Sequence, residues 1–117
     1  MASDKVLEIL QYVLKAGSGA EFHTIMDKIS VPLHRQSGMD VVAYGQSQHN
    51  PDAYFLMRAF DDMDHLEHAQ ADFYASEAWR YGPRNEIVPR ISTSVKTVIP
   101  LPASTIDTLR RNGGTPD

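Results

Sequence analysis

Cysteine is missing from this sequence of 117 residues. Disulfide bonds, zinc sites built on thiolates and cysteine nucleophiles are therefore all excluded. Basic residues are also scarce, since 11 Lys and Arg stand against 15 Asp and Glu and the formal net charge is -4. Proteins that bind nucleic acid neutralise phosphates with clustered Lys and Arg. The sequence has no such cluster, so we expect no nucleic-acid partner.

Long apolar segments are lacking as well. No run approaches the roughly 20 residues that span a bilayer, so we expect no membrane partner. The first residues are polar and lead directly into a strand pattern, without the apolar core of a signal peptide, and we expect a cytoplasmic location. The sequence also contains no glycine-rich phosphate loop, nucleophile elbow or zinc-ligand spacing.

What remains is the composition of one ordinary globular domain, with 42% hydrophobic and 22% charged residues. Apolar periodicity and turn residues predict strands at 6–14, 39–48, 53–60 and 92–99. They predict a helix at 19–30 capped by Ser18, a second capped by Asp61 or Asp62, a turn of helix capped by Ser76, and a helical piece at 84–88. We assign residues 1–102 to the domain and residues 103–117 to a polar C-terminal tail outside it.

The order of these elements is βαββαβ. With right-handed crossovers it predicts an α+β, ferredoxin-like sandwich, in which a four-stranded antiparallel sheet carries its helices on one face. The strands are apolar on both sides of the pleat, so the face without helices is unsuited to water. A second copy of the chain is the simplest cover, and we expect a homodimer that pairs sheet to sheet.

Several short runs resemble proteins of the NIPSNAP family, within the dimeric α/β barrel superfamily. They are Tyr12-Val-Leu-Lys-Ala-Gly17 with Phe22, residues 44–48, the Asn50-Pro51 turn, Leu56-Met-Arg-Ala-Phe60 with Asp61, and Trp79 after Ser76-Glu77. The resemblance covers residues 6–99 and implies the same barrel and dimer. Its superfamily contains cofactor-free oxygenases, isomerases, haem degraders and members without known activity. The haem degraders' pattern of Asn, Trp and a later His is absent, which disfavours haem breakdown.

Arg58 is the first candidate site residue. It lies in the middle of a strand, between Leu56 and Phe60, where burial is expected and a guanidinium needs an acceptor. One interpretation is a structural ion pair with a carboxylate such as Glu8. The other is that Arg58 binds an anionic ligand.

Three further residues are candidates for proton transfer. Tyr12 and Tyr44 lie on predicted strands, where a phenol is able to act on a substrate in an apolar cleft or simply to pack in the core. His34 follows Pro32 near the predicted end of the first helix, and the alternative is a solvated loop residue. His23, on the flank of the same helix, is interpreted as a half-exposed surface histidine.

Trp79 and Arg84 follow the second helix and are candidates for binding an aromatic or anionic ligand at the entrance to a cleft. The alternative is that Trp79 seals the core and the arginine forms a surface ion pair. His65, His68 and Asp72 share one side of the second helix, but the apolar residues between them take the buried side. We therefore predict no metal site, and no cofactor.

Two classes of function remain open. The first is a homodimer that holds a small apolar or aromatic molecule, neutral or anionic, in a cleft between sheet and helices. The second is a monooxygenase or isomerase without a cofactor, acting on a small aromatic or lactone-like substrate. The sequence does not decide whether the protein is an enzyme.

Overall fold

The computed structural model describes residues 4–112. The strands are β1 (Asp4–Leu14), β2 (Asp40–Gln46), β3 (Ala53–Phe60) and β4 (Ile91–Pro102). The helices are α1 (Gly19–Ile25), α2 (Val31–Gln36), α3 (Met63–Ala75), α4 (Glu77–Arg80), α5 (Arg84–Ile87) and α6 (Ala103–Asn112). A π-helical turn (Met26–Ser30) joins α1 to α2, and a 3-10 turn (Val88–Arg90) precedes β4. No helix among these residues is long and apolar enough to cross a membrane.

The four strands form one sheet in the order β2-β3-β1-β4, in which all neighbours are antiparallel. β1 is central, with Leu10 opposite Leu56 of β3 and Lys96 of β4. Phe22, Met26, Leu66, Phe73 and Trp79 from the helices pack on one face of this sheet. The ferredoxin-like α+β fold predicted from the sequence is therefore confirmed.

The first helical segment differs from the prediction that Pro32 ends it after Ser30. The chain stays helical to Gln36, and Val31 has helical dihedrals, φ −66° and ψ −45°. A proline lacks the N–H and crowds the carbonyl four residues earlier. The π-helical turn just before Pro32 changes the bonding pattern, because the N–H of Val31 bonds to the carbonyl of Met26, five residues back.

The start of α1 is held by a residue from the β2–β3 hairpin. The Asp52 carboxylate accepts hydrogen bonds from the N–H groups of Gly17 and Gly19, both at 2.9 Å. The predicted Ser18 side-chain cap is wrong, because its hydroxyl donates to the carbonyl of Lys15. An acidic side chain at a helix N-terminus satisfies free N–H groups and complements the helix dipole.

The predicted caps of the later helices are confirmed. Asp62 Oδ1 accepts from the N–H of His65 at 2.8 Å at the start of α3. Ser76 Oγ accepts from the N–H of Trp79 at 3.2 Å at the start of α4. Each cap fills one of the donors that the first turn of a helix leaves unpaired.

The sheet face opposite the main helices is covered only in part. Leu7, Val42, Ala43 and Ala59 are buried there against Ile106 of α6. The assignment of residues 103–117 to a tail outside the domain thus differs from the structure, in which Ala103–Asn112 is a helix packed on the sheet. The packing was not evident from the mostly polar sequence of α6, because one or two apolar residues per turn are enough to hold a short helix against a sheet. Residues 113–117 lie outside the described part.

Candidate functional site

Arg58 lies at the centre of a buried polar network between the sheet and the helices. Its side chain is 1% exposed, and Glu8, directly opposite on β1, is fully buried. Arg58 Nε donates to Glu8 Oε1 at 2.6 Å. The predicted ion pair of Arg58 with Glu8 is confirmed. A buried pair of this kind requires further hydrogen bonds around it to offset desolvation.

His34 supplies one of these hydrogen bonds. Its Nδ1 lies 2.7 Å from the carbonyl oxygen of Ser30, which only accepts, so Nδ1 carries the proton. Nε2 is then the acceptor for Arg58 Nη1, at 3.1 Å. Burial, together with the nearby Arg58 charge, lowers the pKa of His34 to about 4. The interpretation of His34 as a solvated loop residue is wrong, since it is 2% exposed on α2.

The remaining partners of the network come from α3 and β4. Tyr74 Oη accepts from Arg58 Nη1 at 2.8 Å, Gln70 Nε2 donates to Glu8 Oε2, and Lys96 Nζ lies 3.2 Å from Glu8 Oε2. Burial alone would raise the pKa of Glu8, but the charge and hydrogen bond of Arg58 hold it below the ordinary value. The Arg58 Nε and Nη1 donors are therefore already engaged within the chain.

A second cluster joins β2 and β3 to the first helical segment. Tyr44 Oη donates to Asp27 Oδ1 at 2.5 Å, and His23 Nδ1 lies 2.6 Å from Tyr54 Oη. The His23 ring centre is 6.0 Å from that of Tyr44 and 5.7 Å from that of Tyr54. Both tyrosines are buried, whereas His23 and Asp27 are half-buried. Burial raises the pKa of Tyr54, which keeps its phenol protonated.

The three candidates for proton transfer therefore lie in separate surroundings. Tyr44 is in the cluster with His23, and His34 is in the network with Arg58. Tyr12 packs edge-on against Phe22, with ring centres 5.9 Å apart, and burial raises the pKa of its phenol. Tyr54 and Tyr74 were not among the sequence candidates, although Tyr54 lies on a predicted strand, where aromatic residues pair across neighbouring strands.

Trp79 and Arg84 are not brought together. Trp79 is 7% exposed, and its ring packs on those of Phe73 and Tyr74 at 5.4 Å and 5.3 Å between centres. It therefore borders the Arg58 network through Tyr74. Arg84 is exposed, and its guanidinium makes a long contact of 3.5 Å with the side-chain oxygen of Asn85.

His65 and His68 line a hollow of about 350 Å³ between α3 and the turn that follows α2, together with Asp72. Each imidazole is hydrogen-bonded to the backbone four residues earlier, at the start of α3. His65 Nδ1 accepts from the N–H of Asp61 at 3.0 Å, and His68 Nδ1 lies 2.8 Å from the carbonyl oxygen of Asp64. Within residues 4–112, no group of three or more imidazoles and carboxylates is placed to hold a metal ion.

The larger hollow, about 660 Å³, lies on the sheet face that α6 leaves open. Its floor contains a row of residues that lie opposite one another on β3, β1 and β4, namely Phe55, Gln11 and Val95. Its apolar lining residues are Ile9, Val13, Ala53, Phe55, Met57 and Val95. Polar side chains stand at Gln11 and Thr93 and along the loop from Gln46 to His49. Pockets of this size and composition are the usual sites for small apolar ligands.

Comparison with solved structures places this fold among known proteins. A NIPSNAP family protein from Agrobacterium tumefaciens strain C58 superposes with a TM-score of 0.76 at 11% identity, over 88% of this chain and 90% of that one. A NIPSNAP-like domain protein from Burkholderia xenovorans gives 0.75 at 18% identity, over 86% of each chain. The resemblance seen in the sequence is therefore confirmed at the level of the fold.

The same fold extends to a second group of structures. A putative antibiotic biosynthesis monooxygenase from Bacteroides thetaiotaomicron VPI-5482 superposes with a TM-score of 0.64 at 12% identity, over 86% of this chain and 93% of that one. No protein-family model matches the sequence, and no curated protein matches it. At these identities the likeness defines the fold and leaves the activity to the site.

Proposed function

We propose that this protein is a homodimer that holds a small apolar or aromatic molecule between its two open sheet faces. The observation that carries the proposal is the hollow of about 660 Å³ on the face that α6 leaves uncovered. From the sequence alone, we expect the ligand between sheet and helices instead. That space contains the buried network of Arg58 and the rings packed on Phe73, so the opposite face is the better site.

The second copy is supported by the character of this face. Val13 and Val95 are 56% and 59% exposed, and Ile9, Phe55 and Met57 are only partly buried beside them. Soluble monomers rarely expose contiguous apolar surface of this kind. The residues that line the hollow include no Asp, Glu, Lys or Arg in the described part of the chain. An uncharged face is compatible with itself across a twofold axis, where a charged face would repel its copy.

Sedimentation of matched valine variants tests the dimer. Val13→Lys places two like charges in the proposed interface, and we expect it to sediment as a folded monomer at micromolar concentration. Val88→Lys is the control, because Val88 is 46% exposed in the 3-10 turn, outside the sheet. We expect that variant to remain a dimer like the parent chain. A parent chain that sediments as a monomer would refute the proposal.

Binding of a neutral environment-sensitive dye, Nile red, tests the ligand part. We expect its fluorescence to rise with the dimer and to fall when Met57→Trp fills the floor of the hollow. Met63→Trp is the matched control, since Met63 is 44% exposed at the start of α3. Equal binding by both variants would place the dye elsewhere and contradict a site in the hollow.

A second candidate is a monooxygenase or isomerase that needs no cofactor. The Tyr44–Asp27 and Tyr54–His23 hydrogen bonds favour it, because a phenol paired with a proton acceptor is able to relay a proton. Two solved structures of the same fold are described as putative antibiotic biosynthesis monooxygenases.

Oxygen uptake with a small polyphenol tests the oxygenase candidate. We expect Tyr44→Phe to reduce the uptake and Tyr81→Phe, at a site that is 76% exposed, to leave it unchanged. The absence of uptake by the parent chain would leave only the isomerase. Ring opening or isomerisation of a small lactone, followed by NMR with the same two variants, tests that alternative.

A further inference from the structure

The hollow on the open sheet face is free of charged side chains within the described residues. This is notable in a chain of which 22% is charged. Arg58, which is buried on β3, lies on the helix side of the sheet, and its guanidinium is paired with Glu8. A carboxylate placed in the hollow would therefore lose water without gaining a positive partner, which is unfavourable.

Gln11 is the one polar side chain in the middle of this apolar floor. Register places it between Phe55 on β3 and Val95 on β4, and Ile9 and Val13 flank it on the same face of β1. Its amide offers both a hydrogen-bond donor and an acceptor. Gln11 is exposed in the single chain, but a second copy over the hollow would remove its amide from water, and the amide would then need a hydrogen-bond partner. The remaining polar lining residues lie at the rim, along the loop from Gln46 to His49 and at Thr93 on edge strand β4.

We infer that the hollow selects an uncharged molecule with an apolar or aromatic body and one hydrogen-bonding group, such as an amide, and that Gln11 binds that group. This inference rests on the proposed function, because it concerns the same hollow. It narrows the class of ligand in one respect, because it disfavours an anionic ligand in this hollow. Gln11 is the residue that determines specificity, and the floor formed by Phe55 and Met57 contacts the apolar body.

Three probes with the same ring system separate the contributions of the apolar body, the hydrogen-bonding group and the charge to binding. Naphthalene, 2-naphthamide and 2-naphthoate share the same rings and differ in bearing no polar group, a neutral amide or an anion. Each is used to displace Nile red from the intact dimer at pH 7. We expect 2-naphthamide to bind about tenfold more tightly than naphthalene, the factor that one hydrogen bond supplies. We expect 2-naphthoate to bind more weakly than either.

Two substitutions at the exposed Gln11 test its role without disturbing the core. Gln11→Leu should abolish the preference for the amide over the hydrocarbon. Gln11→Met, an uncharged side chain of similar length, should have the same effect, and both variants should remain dimers on sedimentation. Gln36→Leu is the matched control, because Gln36 is exposed near the end of α2, on the other side of the sheet. That control should preserve the order of the parent chain.

The outcomes separate this inference from the proposed function. If Nile red does not bind, the ligand site itself is refuted. If Nile red binds but 2-naphthoate displaces it as well as 2-naphthamide does, the hollow binds ligands without the proposed selectivity and this inference is overturned. If Gln11→Leu and Gln11→Met keep the preference for the amide, Gln11 does not bind that group, which also overturns it.

Discussion

Arg58 Nη1 donates to His34 Nε2 across 3.1 Å, inside the space between the sheet and the helices. The bond requires a neutral imidazole, because a protonated His34 would turn a second N–H toward the guanidinium. The Arg58 charge is balanced by Glu8 on the other side, at 2.6 Å. The stability of the fold therefore depends on a neutral His34 and an ionised Glu8, both of which are buried.

We predict that the free energy of unfolding decreases as pH falls from 6.5 toward 5. The pKa of His34 is lowered from 6.5 to about 4, so the unfolded chain takes up a proton at higher pH than the folded chain. The stabilisation is complete above 6.5 and is lost as the pH falls through this window, by up to roughly 3 kcal/mol at pH 4. Urea unfolding at pH 7, 6 and 5 measures it.

His34→Gln is the control for this pH dependence. The glutamine oxygen is able to accept from Arg58 and does not titrate, so the slope between pH 7 and 5 should be smaller than in the parent chain. The lowered pKa of Glu8 stabilises the fold at all pH values above its ordinary 4.5, and this stabilisation is lost only below that value. Glu8 therefore adds little to the slope between pH 7 and 5. An unchanged slope in His34→Gln would contradict the assignment to His34.

We predict that Arg58→Met lowers the free energy of unfolding by about 3 to 5 kcal/mol, because it leaves the buried Glu8 carboxylate without its main partner. Lys96, 3.2 Å from Glu8 Oε2, offsets part of this loss. Adding Glu8→Leu to Arg58→Met should recover most of the stability. Arg84→Met, at an exposed site, should change it by less than about 0.5 kcal/mol. A double variant as unstable as the single one would point to packing instead of charge.

We predict that Gly19→Ala destabilises the protein by about 1 to 3 kcal/mol. A Cβ at this position would lie 1.9 Å from the carbonyl oxygen of Pro51, so the hairpin that carries Asp52 must move away from α1. The direction of the change in stability is informative, because alanine normally stabilises a helix relative to glycine. Gly45→Ala is the control, since its Cβ would meet only the Phe55 ring at 3.4 Å. Thermal unfolding of both variants checks this prediction.

We predict that Ile106→Ala lowers the free energy of unfolding by about 2 to 4 kcal/mol, because Ile106 is 1% exposed on the side of α6 that packs on the sheet. Ending the chain after Pro102 should lower the melting temperature more, since it also removes the Arg110–Asp40 ion pair. Thr105→Ala, at the exposed neighbouring position, is the control. A truncated chain with the melting temperature of the parent would show that α6 is dispensable.

Local sequence patterns predicted the elements whose causes lie within a few residues. The hairpin around Asn50 and the caps at Asp62 and Ser76 follow from side chains that bond to backbone two or three residues away. The first helix was predicted too short, because the effect of Pro32 depends on the π-helical turn before it. Its Asp52 cap comes from residues more than 30 positions distant, and no local pattern contains such a partner.

The candidate site divides in the same way. A charged residue between Leu56 and Phe60 was sufficient to suggest a buried ion pair as one of two roles, and Glu8 lies opposite Arg58 because both occupy the same face of neighbouring strands. The roles of His34 and Tyr74 were not predictable, since their contacts with Arg58 depend on how α2 and α3 pack against the sheet. The open hollow was also missed, because its limits depend on where α6 lies.

The sequence by itself determined the order of strands and helices, the antiparallel sheet and the need of a buried Arg58 for an acceptor. Alternation of apolar residues and turn chemistry act over short distances, so a single sequence contains them. Only the tertiary structure decided which groups surround Arg58 and which half of the second sheet face stays open. The open half depends on the contact of Ile106 with β1, β2 and β3. The surroundings of Arg58 depend on the continuation of the helix through Pro32, which brings His34 to the sheet. Both contacts join residues that are far apart in the chain.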